Sequence, residues 1–260
     1  MRLSQAIKAL TLVLLLNTIP LIELTESAIA APRNTSRTVK ARRRLNFRVG
    51  VRPSRYRVGG FSRAATSTCG PTSNKTITAL VPPPLPEEQV PTKEAPVDKT
   101  IAERPTFFVD VPNFATTNAQ FTLQPEHPKP GEKKDLYNKK FQLTGKSGII
   151  AIPLPSSVPA LQIGQKYLWQ MAVKCNPLDP SSDIVVIGWI ERVQSPTTAT
   201  GDKLNTLAEA GVWQDTMSTL ALRRYEQPND RTAAEDWASL MEDVKMPQFK
   251  DTAIVQIVKD

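Results

Sequence analysis

The chain has 260 residues, 23 prolines, 33 Lys or Arg against 25 Asp or Glu, one histidine and two cysteines. That length fits one or two ordinary domains with a real core. A lone histidine, His127, excludes a multi-histidine metal site within one chain, and its place between Pro125 and Pro128 on a turn weakens any catalytic triad.

Residues 1–30 carry Arg2 and Lys8, an apolar run over 9–16, a break at Pro20 and the small-x-small pattern Ala28-Ile29-Ala30. This is the order of a secretory signal peptide, with cleavage expected after Ala30. A retained anchor needs about 20 uninterrupted apolar residues, and Asn17, Pro20, Glu23 and Glu26 interrupt this one. The protein is therefore expected to be exported, periplasmic or extracellular, with no transmembrane segment after signal removal.

Residues 31–68 form a basic arm, expected to be flexible. Eleven Lys or Arg and no acid fall within 31–63, which leaves a net charge of about −3 from Ala64 onward. Leu45, Phe47, Val49 and Val51 alternate with polar residues, so an edge strand and a disordered arm both stay open. Candidate contacts to anionic polymers are Arg42, Arg43, Arg44, Arg48, Arg52, Arg55 and Arg57. Outside the cytoplasm such polymers are lipopolysaccharide, acidic glycans or lipid head groups, and no nucleic acid partner is expected. The plainer alternative is a solvated arm with no binding role.

Residues 69–99 hold Cys69 and a Pro-rich linker; from 81 to 112 there are eight prolines, which favours extended polyproline II. In an oxidising compartment Cys69 and Cys175 are expected to pair, and the alternative is two buried thiols.

Residues 100–195 read as consecutive strands over 106–111, 120–124, 136–143, 148–154, 166–175 and 184–193, bounded by Pro, Gly, Asn, Asp and Ser. The pattern predicts a mainly β fold, an immunoglobulin-like antiparallel β-sandwich of six or seven strands. Trp169 and Trp189, on adjacent predicted strands, are expected to fill its core.

Residues 196–260 change period: Leu204, Leu207 and Ala208, then Val212, Trp213, Met217, Leu220 and Ala221 follow helical spacing, separated by Gly211. Asn229 or Asp230 caps a third helix carrying Ala233, Trp237, Leu240 and Val244, stopped by Pro247. A small C-terminal helical subdomain of about three helices, with a tail, is expected to cover a face or end of the sandwich. Residues 207–222 also resemble the second half of a tetratricopeptide hairpin, but a solenoid needs about three repeats.

The segment from Lys166 to Val193, with Lys-Tyr-Leu-Trp-Gln-Met-Ala-Val-Lys-Cys-Asn-Pro and Ile-Gly-Trp-Ile-Glu-Arg-Val, resembles a secreted cyanobacterial family catalogued only as domain of unknown function 928. Arg104-Pro105-Thr106-Phe107-Phe108, Pro153-Leu154-Pro155 and Ala208-Glu209-Ala210-Gly211-Val212-Trp213-Gln214-Asp215 extend the likeness over about 69–244. The resemblance implies a fold and a compartment; the family offers no catalytic residue to carry over.

For chemistry the chain offers little beyond carboxylates. Asp179 and Asp183 flank Asn176-Pro177-Leu178-Asp179-Pro180-Ser181-Ser182-Asp183, where a calcium site is the weak alternative to an ordinary turn. No cofactor, catalytic residue or resident metal is expected. The leading function is a non-enzymatic cell-envelope module that binds an envelope protein or anionic polymer. Alternatives are a carboxylate-dependent enzyme acting on envelope glycans and a structural accessory of a secretion or surface-assembly system. An enzyme calls for two acids converging in a pocket, whereas a binding module calls for exposed apolar loops.

Overall fold

The computed structural model describes residue 47 and residues 76–82, 97–114, 117–128, 135–176, 178–196 and 203–259, all within the compact unit Arg43–Asp260. The signal segment, Cys69, the seven candidate arginines of the arm and most of the Pro-rich linker lie outside the described residues.

The chain is mainly β, with sheets of four and five strands and three helices after the main strand block, as the sequence predicts. The strands are β1 (Thr78–Ala79), β2 (Asp98–Thr100), β3 (Thr106–Val111), β4 (Asn118–Pro125), β5 (Tyr137–Gln142), β6 (Gly148–Pro153), β7 (Lys166–Val173), β8 (Ile184–Arg192) and β9 (Ile254–Ile257). The first sheet has the order β1-β3-β6-β9 and the second β2-β8-β7-β4-β5. Most neighbours are antiparallel, but β2 runs parallel to β8 and β9 parallel to β6, a departure from the all-antiparallel expectation. Both strands arrive by long connections rather than hairpins, and a long crossover is what a parallel pair requires.

Strand period divides the side chains cleanly. Phe107, Val109 and Val111 of β3 meet Phe121 and Leu123 of β4 and Trp169 and Met171 of β7 in the core between the sheets. Phe107 lies 4.9 Å from Phe121 and 5.4 Å from Trp169, ring to ring. Residues of opposite phase, Phe108 on β3 and Ile149 and Ala151 on β6, belong to a second core beneath the helices. The four-stranded sheet is thus buried on both faces, and the fold has three layers.

Trp189 corrects the expectation of two core tryptophans. Trp169 is buried, and its cross-strand partner on β8 is Gly188, where an added Cβ would sit 2.4 Å from the indole. That position is glycine because the ring occupies the space of a side chain. Trp189, one residue on, therefore faces outward and is half-buried.

The helices are α1 (Lys203–Glu209), α2 (Trp213–Glu226) and α3 (Arg231–Asp243). Gly211, at φ 68°, turns α1 into α2 with a backbone that a Cβ would strain. Asp230 is the cap of α3: its Oδ1 accepts from Thr232 N at 2.9 Å and Ala233 N at 3.2 Å, while Oδ2 accepts from Arg223 Nη2 at 2.7 Å. The helix ends at Asp243, before Pro247, and left-handed Lys245 at φ 60° carries the turn. The predicted tail then returns as β9 to pair with β6 in the four-stranded sheet, whose outer face the helices cover.

Trp213 anchors the helical layer. Its Nε1 donates to Leu80 O at 2.9 Å, and Phe47, the one described residue of the basic arm, meets its ring edge-on at 5.2 Å. Phe47 is itself buried, so the arm is tied to the helical core at this point. Among the described residues no helix is long and apolar enough to cross a membrane.

A polar tie joins α2 to the sheet edge. Asp215 Oδ2 accepts from Thr100 Oγ1 at 2.8 Å and Ile101 N at 3.0 Å. Burial nonetheless raises its carboxyl above the ordinary 3.8, outweighing those two hydrogen bonds. The folded state then holds this proton more tightly than the unfolded chain. The group's contribution to stability is fully present below pH 3.8 and is lost as pH rises through the raised value. Asp215→Asn is expected to remove this loss and flatten the pH dependence of urea unfolding in that window; a slope identical to wild type would show that another group sets it.

Candidate functional site

At one end of the five-stranded sheet, the close of β7, the start of β8, the start of β4 and the close of β5 come together. The segment after β7 folds as a tight turn because its side chains replace backbone partners. Asn176 Oδ1 accepts from Leu178 N at 2.9 Å, and Asn176 O accepts from Asp179 N at 3.1 Å. Asp179 Oδ1 accepts from Ser181 N at 3.1 Å and from Ser181 Oγ at 2.6 Å, capping a short 3-10 turn over Pro180–Ser182. Asp183, buried at 6% exposure, pairs with Lys174 Nζ and accepts from Cys175 N at 3.3 Å.

This network holds Leu178 out at 93% exposure. Burying a leucine side chain is worth about 1.5–3 kcal/mol relative to leaving it in water. The turn is thus an exposed apolar loop of the kind a binding module needs.

At this end of the sheet a groove of about 570 Å³ is lined by Asn118, Gln120, Lys140, Phe141, Gln142 and Lys174. The register places Gln120 opposite Lys140 and Asn118 opposite Gln142 on the outward phase of β4 and β5. Gln142 Nε2 donates to Asn118 Oδ1 at 2.9 Å, Gln120 Nε2 donates to Asn138 Oδ1 at 2.8 Å, and Thr117 Oγ1 donates to Gln142 Oε1 at 2.6 Å. The lining offers amide donors and acceptors and two ammonium groups. Among the described residues the lining holds no carboxylate, imidazole or thiol.

A second, smaller cleft of about 190 Å³ lies between α2 and the β2–β3 connection, lined by Asp215, Arg104, Lys203, Gln214 and Thr219. Its one acid among the described residues is Asp215, committed to Thr100 and Ile101, and Gln214 Nε2 donates to Thr106 O. This cleft is part of the seam that docks the helices.

The structure brings Asp179 and Asp183 into one turn but gives them different tasks, one capping Ser181 and the other paired with Lys174. Among the described residues there is no group of three or more His, Cys, Asp or Glu that could hold a metal ion. His127 is exposed beside Glu126, 3.9 Å away. Cys175 is half-buried against the sandwich core, while its expected partner Cys69 lies outside the described residues. Sequence reasoning missed Leu178, Gln120, Lys140 and Gln142. A lone leucine between Asn-Pro and Asp-Pro was one available signal, and the polar alternation Asn118, Gln120, Thr122, Gln124 was another.

No curated protein and no solved structure matches the chain. A family model described as Domain of Unknown Function (DUF928) matches residues 58–254, a span that takes in β1 to β8 and α1 to α3. On that match the chain belongs to the DUF928 family.

Proposed function

We propose that this protein is an exported, non-enzymatic binding module of the cell envelope, freed of residues 1–30 and acting outside the cytoplasm, in keeping with a secreted cyanobacterial family. Its partner, an envelope protein or anionic polymer, is engaged at the turn-and-groove end of the five-stranded sheet. The arginines at 42, 43, 44, 48, 52, 55 and 57 add electrostatic retention that falls with salt. Cys175 is joined to Cys69, a bond that ties the arm to the sandwich and that an oxidising compartment favours.

The observation that carries this reading is Leu178, held fully outward by a hydrogen-bonded turn. A leucine so exposed gains about 1.5–3 kcal/mol when an interface buries it. The test is capture of components from envelope extract by the mature chain, compared with Leu178→Asp. The wild type is expected to retain a component that Leu178→Asp loses, with both folding alike by circular dichroism. An identical set of captured components would overturn the role given to the turn.

A further inference from the structure

We propose that the groove along β4 and β5 binds an acidic polysaccharide, a uronate-bearing chain laid parallel to the strands. This rests on the binding-module reading above and names its ligand class.

Three observations converge. The outward residues of β4, Asn118, Gln120, Thr122 and Gln124, form a straight polar line, about 20 Å long at strand rise. A line of that length suits an extended chain of repeating units better than a compact small molecule. Each primary amide carries two N–H donors and a carbonyl acceptor, and a sugar hydroxyl is both donor and acceptor. Gln120 and Gln142 each donate one N–H to a neighbouring side chain, and each amide has a second N–H.

The charge of the lining selects among polysaccharides. Among the described residues the groove itself holds Lys140 and Lys174 and no acid, while at the far end of the line Asp135 accepts from Gln124 Nε2 at 2.7 Å and Asn138 Nδ2 at 2.9 Å. Lys174 already pairs with Asp183, whereas exposed Lys140 has no ion pair with any described residue. An ammonium in this position attracts a carboxylate and gives a neutral glucan nothing comparable. Farther along the same face, Leu168 of β7 stands opposite Trp189 of β8. Sugar rings present C–H faces as well as hydroxyls, and this outward indole lies on the same face as the amide line, with β7 between them.

Trp189 also supplies a readout. Of the four tryptophans, Trp169, Trp213 and Trp237 are fully buried, so a ligand on this face perturbs the fluorescence of Trp189 alone. The experiment titrates full mature chain with oligomers of polymannuronate and, separately, with a neutral cellulose oligomer. Fluorescence and calorimetry follow binding in wild type, Lys140→Ala, Gln120→Ala/Gln142→Ala and a variant with the seven arm arginines changed to Gln. Polyuronate is expected to bind and shift tryptophan emission, with each groove variant weakening it about tenfold, the scale of one charge-assisted hydrogen bond. The arm variant is expected to lower affinity mainly at low salt while keeping the emission shift. Equal binding of the neutral oligomer, or binding abolished by the arm variant and untouched by the groove variants, would overturn the proposal. If polyuronate fails to bind while Leu178 still controls capture from envelope extract, this ligand assignment falls and the binding-module reading stands.

Discussion

Trp213→Ala is expected to destabilise the fold by about 3–5 kcal/mol, the cost of emptying a large, fully buried aromatic site. Two losses add up there. The indole is the centre of the helical core, packed among Met217, Leu220 and Trp237, and α2 has no other residue of that size against the sheet. Its N–H also satisfies Leu80 O, which after truncation is a buried acceptor without a donor. Trp213→Phe separates these effects, since it keeps most of the ring volume and removes only the donor; its expected cost is about 1–3 kcal/mol. Urea unfolding followed by circular dichroism measures both. A second consequence concerns the arm. Phe47 packs edge-on against this ring, so limited proteolysis within residues 31–68 is expected to accelerate in Trp213→Ala. Cleavage at the wild-type rate would mean that Phe47 is held by something other than Trp213.

Cys175→Ser is expected to cost about 2–5 kcal/mol if the proposed bond to Cys69 is present, because it closes a loop of about 106 residues. In the chain-entropy model so long a loop lies at the upper end of that range, and native strain reduces it. The serine itself is a small change at a half-buried position beside the core, so a large loss of stability measures the crosslink. Wild type unfolded with reductant should match the variant in midpoint, and without reductant it should exceed it. Reductant that leaves the wild-type midpoint unmoved would reject the bond.

The strands legible in the sequence were those with an unambiguous period and turn residues at both ends. The span predicted over 106–111 is β3 exactly as found, and the spans for β4 to β8 agree within two residues at each end. The three helices, and a cap at Asn229 or Asp230, were legible for the same reason, local hydrogen bonding and spacing; the structure chooses Asp230. Strands β1, β2 and β9 were not. They are two to four residues long, too short for a period to declare itself, and each exists only because a distant strand offers it a ladder.

Trp189 shows the limit most sharply. In β8 the residues Ile184, Val186 and Ile190 are apolar on one phase, and Val185, Ile187 and Trp189 are apolar on the other. Periodicity cannot choose between two apolar phases. The choice is made by Gly188, whose missing side chain admits the Trp169 ring from the neighbouring strand, and that fact belongs to the β7–β8 register.

The candidate site is subject to the same division. By itself the sequence determined the class of fold, the turn chemistry from Asn176 to Asp183, the absence of a multi-histidine site and the segregation of cations into an arm, since these depend on neighbours along the chain. Only the tertiary structure decided that Leu178 stands exposed, that Gln120, Lys140 and Gln142 share a groove with Lys174, and that Phe47 is buried on Trp213. Those outcomes depend on which strands pair and in what register, and long-range pairing is set by the burial of the whole core rather than by any local stretch of residues.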